Sequence, residues 1–299
     1  MNPETGIDPN AADPLDVLNF WFKNTWGTEK LKKVQHLPLW FGGELSICHF
    51  AGSGFKTIMR PISPEQRDEL DQACARFIPL IKAAGRGELV GQLWSSHDGM
   101  YARMLLCDQL SRNCFRGTAD AFTYDAAALQ IWRQIWDQEL CKDYHVPQVM
   151  FFITVVEHSE ALDVQALVEP LIKYFKAKQP RSLPLSNMYS AAREHKAVVD
   201  RFGRFPHRNT LLGRDSTAEE QAWLADVKKL PMWAKSQSPA AATDTSTSTA
   251  ASDTTASTAP TVTTGAGAGD CFVWPMYVGE SNLCCTKKRK KKNQVAALP

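Results

Sequence analysis

The chain has 299 residues, 44% of them hydrophobic, which is ample for a packed core. Its formal net charge is +2, but the run KKRKKK (287–292) holds six positive charges, and without it 28 basic residues face 32 acidic ones, a formal −4. That balance excludes a folded domain that binds nucleic acid by bulk charge, and no apolar stretch is long enough to span a membrane.

The opening MNPETGIDPNAADP is polar and acidic, so residues 1–12 are expected to be disordered and to carry no secretory signal. The eight cysteines lack any CxxC…CxxC pairing, and are expected to be reduced, buried thiols of a cytoplasmic protein. A helical domain is expected over 13–235. Within it ELSICHFAGSGFKTIMRP (44–61) has Gly-Ser-Gly at its middle and no helical period, which marks a loop insertion with at most a little strand.

Next, SPEQ (63–66) joins a capping serine, a first-turn proline and a glutamine three positions on. The helix that follows buries Leu70, Phe77, Leu80 and Ile81 and ends at Gly85 or Gly87. Helical spacing recurs over 100–110, 119–140 (with Thr118 as N-cap), 147–156, 161–174 and 187–200. Ser216 with Glu219 opens a last helix that runs to about Leu230. At this spacing Trp94, Trp132, Trp136 and Trp223 read as core. The expected architecture is all-α, with antiparallel helix pairs stacked in a tetratricopeptide-like superhelix. From Ser236 the composition shifts to Ser, Thr, Ala, Gly and Pro, which predicts a low-complexity, disordered linker (236–270) ahead of a basic tail (271–299).

Three polar clusters interrupt the apolar pattern. DQLSRNCFRGTADAFTYD holds Asp108, Gln109, Arg112, Asn113, Arg116 and Asp125. Asp108 and Arg112 suit an intrahelical pair worth ~0.2–0.5 kcal/mol, whereas Asn113 and Arg116 fall in the following turn. EHSEALDVQ supplies Glu157, His158 and Glu160; its HSE matches half of a zinc-deaminase signature whose P-C-x-x-C half is absent. RFGRFPHRNTLLGRDST places Arg201, Arg204, His207, Arg208, Asn209 and Arg214 around a tight corner between helices. Nearby acids number only Asp200 and Asp215, so these arginines must take carboxylates from the first two clusters or from a ligand.

Taken together, DQLSRNCFRGTADAF, EHSE and RFGRFPHRNTLLGRDSTAEE resemble the signature blocks of the domain-of-unknown-function 924 family, and VLNFWF and PLWFGG resemble its opening. The similarity runs from about Leu15 to Leu230 and implies a helical, tetratricopeptide-like fold with no assigned reaction. Ser111 stands where relatives usually have proline, and FITVV where they usually have a Leu-Pro-Leu run; the first lets the Asp108 helix continue.

Three functions are compatible with these residues. The first is a ligand- or peptide-binding module in which Asp108, Arg112, Asn113, Arg116, Arg204, Arg208, Asn209 and Arg214 hold the anionic group of a small molecule or acidic peptide. The second is a hydrolase-like enzyme on an anionic small molecule, with His158 or His207 as general acid–base and Glu160 orienting it. In the third the charges only stabilise the fold. No metal and no cofactor is implied, and no P-loop or dinucleotide fingerprint is present. The polybasic 287–292 run beside Cys284 and Cys285 suits nuclear import or a peripheral membrane contact as well as a solvated tail.

Overall fold

The protein is described from a computed structural model covering residues 6–32, 43–50, 54–61 and 63–236. The chain divides into two units, Met1–Thr247 and Ser248–Pro299, and every described residue lies in the first. The linker beyond Ser236 and the basic tail lie outside the described residues, as does most of PLWFGG.

Helix α1 (Pro14–Trp21) starts at an Asp13–Asp16 capping box with proline in its first turn. The segment ahead of it is ordered from Gly6, contrary to the expectation of disorder through residue 12. Ile7 N–H donates to the Arg76 carbonyl at 3.0 Å, Ala12 is buried, and Gly6 lies so close to Pro79 that a Cβ would collide. The expected loop insertion is instead an antiparallel hairpin, β1 (Gly43–Phe50) with β2 (Gly54–Pro61), in register from Gly43↔Pro61 to Phe50↔Gly54. Apart from that hairpin, the regular secondary structure of the described residues is helical.

The SPEQ signal is realised as a Ser63–Gln66 capping box. The helix it opens does not run unbroken to Gly85. It divides into α2 (Pro64–Cys74), a 3₁₀ turn (Ala75–Phe77) and α3 (Ile78–Gly85), because Pro79 has no N–H for the Ala75 carbonyl and its ring crowds that residue. Phe77, Leu80 and Ile81 are buried, whereas Leu70 is only half-buried. After α4 (Gln92–Ser95), α5 (His97–Leu105) continues through a π turn (Leu106–Leu110) into α6 (Ser111–Cys114), a longer run than the 100–110 spacing predicts. The expected 119–140 helix is a 3₁₀ turn (Ala119–Phe122) followed by α7 (Asp125–Asp137). The Thr118 hydroxyl donates back to the Phe115 carbonyl at 2.8 Å and makes no capping hydrogen bond to that turn.

Helix α8 (Val146–Glu157) is the axis of the fold: Pro147 to Glu157 are all buried. Its MFFITVV run is apolar all round, so it is stable only with helices on every side. α7, α10 and α11 pack against it. The predicted 161–174 helix is split into α9 (Leu162–Gln165) and α10 (Val168–Lys178), since Pro170 tolerates only a first-turn position. α11 (Leu183–Phe202) ends at Gly203, whose φ of +69° supplies the left-handed cap. α12 (Ala218–Ala225) is capped by Thr217 with Glu220, one residue on from the Ser216–Glu219 pair the sequence suggested. The last described element, α13 (Met232–Ser236), belongs to a satellite core in which Trp223 and Trp233 pack on Val198, Val199 and Phe205. Trp94 and Trp132 are buried as expected, with Trp132 stacked between Trp136 and Phe152 at 5.7 and 5.0 Å.

One close approach fixes how α4 enters α5. A Cβ on Gly99 would fall within 2.6 Å of the Trp94 backbone and against the Leu93 carbonyl oxygen. Because these are main-chain atoms, the clash cannot be relieved by a rotamer change. Gly99→Ala is expected to destabilise the fold by about 1–3 kcal/mol, read as a lowered urea midpoint at unchanged slope.

Candidate functional site

The end of α8 and the π turn after α5 meet in the middle of the helical stack. Asp108 sits inside the π turn, 1% exposed. Its Oδ1 lies 2.6 Å from His158 Nδ1 and 3.2 Å from Arg112 Nη1, and its Oδ2 accepts from Gln109 Nε2 and, at 3.3 Å, from the Thr154 hydroxyl. Burial raises the Asp108 carboxyl, but His158 and Arg112 with these hydrogen bonds outweigh it and hold the group well below the usual carboxylate range. His158 is held low, by burial first and by Arg112 next, against the opposing pull of Asp108. It is therefore a neutral imidazole whose Nδ1–H donates to Asp108, which leaves Nε2 without a protein partner among the described residues.

Arg112 bridges two carboxylates. Its guanidinium reaches Asp108 and also Asp125 at the start of α7, at 2.8 and 2.9 Å, while Nη1 donates to the Asp108 carbonyl at 2.7 Å. Asp125 then meets Arg208 Nη1 at 3.2 Å, and Arg208 Nη2 donates to the His158 carbonyl at 3.0 Å, a cation on the exposed carbonyls at the end of α8. The Arg208 guanidinium lies between the rings of Phe122 and Phe205, 4.5 and 4.6 Å from their centroids. Burial lowers it to about 10, so it stays charged at neutral pH. The corner at 203–213 thus joins the other two clusters through Arg208, as the charge count requires.

The other corner arginines find carboxylates within the protein, although Arg214 Nε is buried with no hydrogen-bond partner among the described residues. Arg214 forks onto Glu160 at 2.7 and 3.0 Å, and Glu160 also accepts from the Phe205 N–H at 2.8 Å. Arg204 forks onto Glu220 at 2.7 and 2.8 Å, and Arg201 pairs with Glu219 at 2.7 Å. Asn209 donates to Ser216 and to Glu220, and Arg116 pairs with Asp71 of α2, with Asn113 beside it. Counting only Asp200 and Asp215 overlooked Glu219 and Glu220 in the next helix; Asp200 itself pairs with Lys196.

These pairings sort the candidates. A cavity of about 80 Å³ is lined by Arg112, Phe122, His158, His195, His207, Arg208 and Trp233. Asp108 supports it from behind His158. Asn113, Arg116, Glu160, Arg204, Asn209 and Arg214 do not line it. Glu160 does not orient His158; that place is taken by Asp108. The sequence reading missed His195 and Trp233, and it offered Glu157 as a partner for the arginines, whereas Glu157 lies beside His195. His195 was findable: with Met188, Ala192 and Val199 it occupies the buried stripe of α11, where a titratable residue is out of place. Trp233 carried no such signal.

Three imidazoles in one cavity create a strongly acid-sensitive core. His195 is pushed down to about 3, by burial first and then by His158, and His207 far down by burial and the neighbouring Arg208. Glu157, 3.6 Å from His195, is pushed well up by burial, with Asp108 and Glu194 adding. Two polar atoms on cavity-lining residues, Arg208 Nε and His207 Nδ1, are buried with no hydrogen-bond partner among the described residues. Each such orphan costs about 1–3 kcal/mol unless water or a ligand meets it. Among the described residues no group of three or more His, Cys, Asp or Glu is placed to hold a metal, and no helix is long and apolar enough to cross a membrane.

The sign of the pH dependence follows. Below about 6.5 the unfolded histidines take up protons that the folded chain refuses, so their stabilisation is present above that pH and is lost as pH falls. Glu157 acts oppositely, stabilising below about 4.3 and losing that contribution as pH rises. With three imidazoles against one carboxyl, unfolding free energy is expected to fall from pH 7 to pH 5 in urea titrations. His195→Gln should remove about one proton from that slope.

Comparison with known proteins bears on the same residues. A family model described as a bacterial protein of unknown function, domain-of-unknown-function 924, matches residues 17–227. A solved structure of a protein of unknown function from Agrobacterium tumefaciens is similar at 28% identity and a TM-score of 0.50, covering 71% of this chain and 96% of that one. No curated protein matches.

Proposed function

The chain belongs to the domain-of-unknown-function 924 family, and on that premise we propose that it binds a small molecule through a compact anionic group held in the Arg112–Arg208–histidine cavity. The observation that carries this reading is the buried, unpartnered Arg208 Nε donor, with the unpartnered His207 Nδ1 near it, on residues that line a space of about 80 Å³. Such a volume takes a few waters or one carboxylate- or phosphate-sized group. An acidic peptide would need a longer, open groove, so the small-molecule form of the hypothesis is the better supported one. Guanidinium and neutral imidazole donors in a water-poor site attract an anion more strongly than the same groups at the surface.

A second reading, acid–base catalysis on the same anion, rests on the Asp108–His158 pair. An aspartate that accepts from Nδ1–H fixes the tautomer and leaves Nε2 to take a proton from a bound molecule. This keeps His158 of the two histidine candidates as the base and assigns the anion to Arg208 and Arg112.

Titration calorimetry of the full chain with inorganic phosphate, sulfate and acetate tests the first reading. Saturable binding is expected for at least one of them, weakened tenfold or more in Arg208→Lys, which keeps a charge near Asp125 but loses the fork. Absence of binding by the wild type, with Arg208→Lys only less stable, would leave the charges a structural role alone.

A further inference from the structure

Six of the seven cavity-lining residues fall within the family match at 17–227; Trp233 lies beyond it, on the five-residue helix α13. Its indole is stacked face to face on the His195 imidazole, centroids 3.8 Å apart and planes 21° from parallel. Phe205 and His207 stand edge-on to it, at 5.7 Å and 76° and at 5.3 Å and 72°. One flat ring is thus held by a parallel face and two perpendicular rings. The remaining cavity, with Arg208 and Arg112 on its wall, opens directly against that ring.

We infer that Trp233 is an internal plug, occupying a slot whose ligand is a planar aromatic acid: the ring takes the place of the indole against His195, and the carboxylate lies between Arg208 and His207. The proposal rests on the anion reading above and adds to it a ligand class and an autoinhibitory contact. A flat ring with a charged substituent in its plane satisfies both halves of the site at once. The indole satisfies only the stacking half and leaves Arg208 Nε and His207 Nδ1 unmet. Since α13 leads into the Ser/Thr/Ala-rich linker, its displacement couples occupancy of the pocket to the start of that segment.

The experiment compares the full-length wild type with Trp233→Ala, using benzoate, its flat neutral isostere benzamide, the non-planar cyclohexanecarboxylate, and acetate with phosphate as small anions. In the variant, benzoate is expected to bind at least tenfold more tightly than to the wild type, and at least tenfold more tightly than benzamide or cyclohexanecarboxylate bind. In the wild type, saturating benzoate should speed hydrogen exchange at the amides of 232–236. Equal binding of benzoate and benzamide would mean a plain apolar hole and would overturn the inference, as would a benzoate affinity indifferent to the substitution. Acetate or phosphate binding to the wild type without the benzoate gain sinks the plug alone; no anion binding to either protein sinks both readings. If Trp233→Ala does not fold, the wild-type exchange measurement decides, and unchanged exchange rejects the plug.

Discussion

A carboxylate 1% exposed among helices sets the terms for everything around it. Asp108 cannot remain ionised there unless charge and hydrogen bonds replace the water it has lost, a requirement of several kcal/mol. Arg112, His158, Gln109 and Thr154 all converge on it, from the π turn, from α6 and from the last turn of α8. The π turn is what makes the convergence possible. Its wider backbone lets Asp108 and Gln109, neighbours in sequence, both be buried facing α8.

From Asp108 the demand propagates outward. Arg112, once buried, needs a second anion and takes Asp125 from α7; Asp125 then draws in Arg208 from the corner after α11. Arg208 in turn caps α8 at the His158 carbonyl. The chain of alternating charges ties the α5–α6 run, α7, the end of α8 and the corner after α11 together, and removing any one member strands its neighbour in a dry interior. Arg204 with Glu220 and Arg214 with Glu160 brace the same corner nearer the surface, where each pair contributes less. The network is structural first. Arg208 Nε and Arg214 Nε stop short of a partner among the described residues, and of the two only Arg208 lines the cavity.

The histidines give this core its chemical character. A surface imidazole would sample both protonation states near neutral pH; these three are kept neutral by burial and by the guanidiniums beside them. Positive charge in the cavity therefore comes from arginine alone, and the imidazoles act as dipoles that can donate or accept. Glu157, pushed well up by burial beside His195, adds a further titratable group to this core.

Much of this was legible beforehand. Capping pairs and helical spacing located most helices, because those signals are local: SPEQ opened α2 as read. Interruptions at Pro79 and Pro170 were written in the sequence too, but the apolar period ran across them and masked them. The three polar blocks, taken as charges in need of partners, implied that they should meet, and Arg208 with Asp125 and His158 is that meeting. Which arginine would make it was decided by tertiary structure alone. Arg204, Arg208 and Arg214 are alike in sequence, and only the turn of the corner aims the second inward while Glu220 and Glu160 take the others. Asp108 rather than Glu160 holds His158, and Trp233 lines the cavity, for the same reason. Local sequence sets which groups must be paired; which partner is within 3 Å depends on helices distant in sequence arriving together.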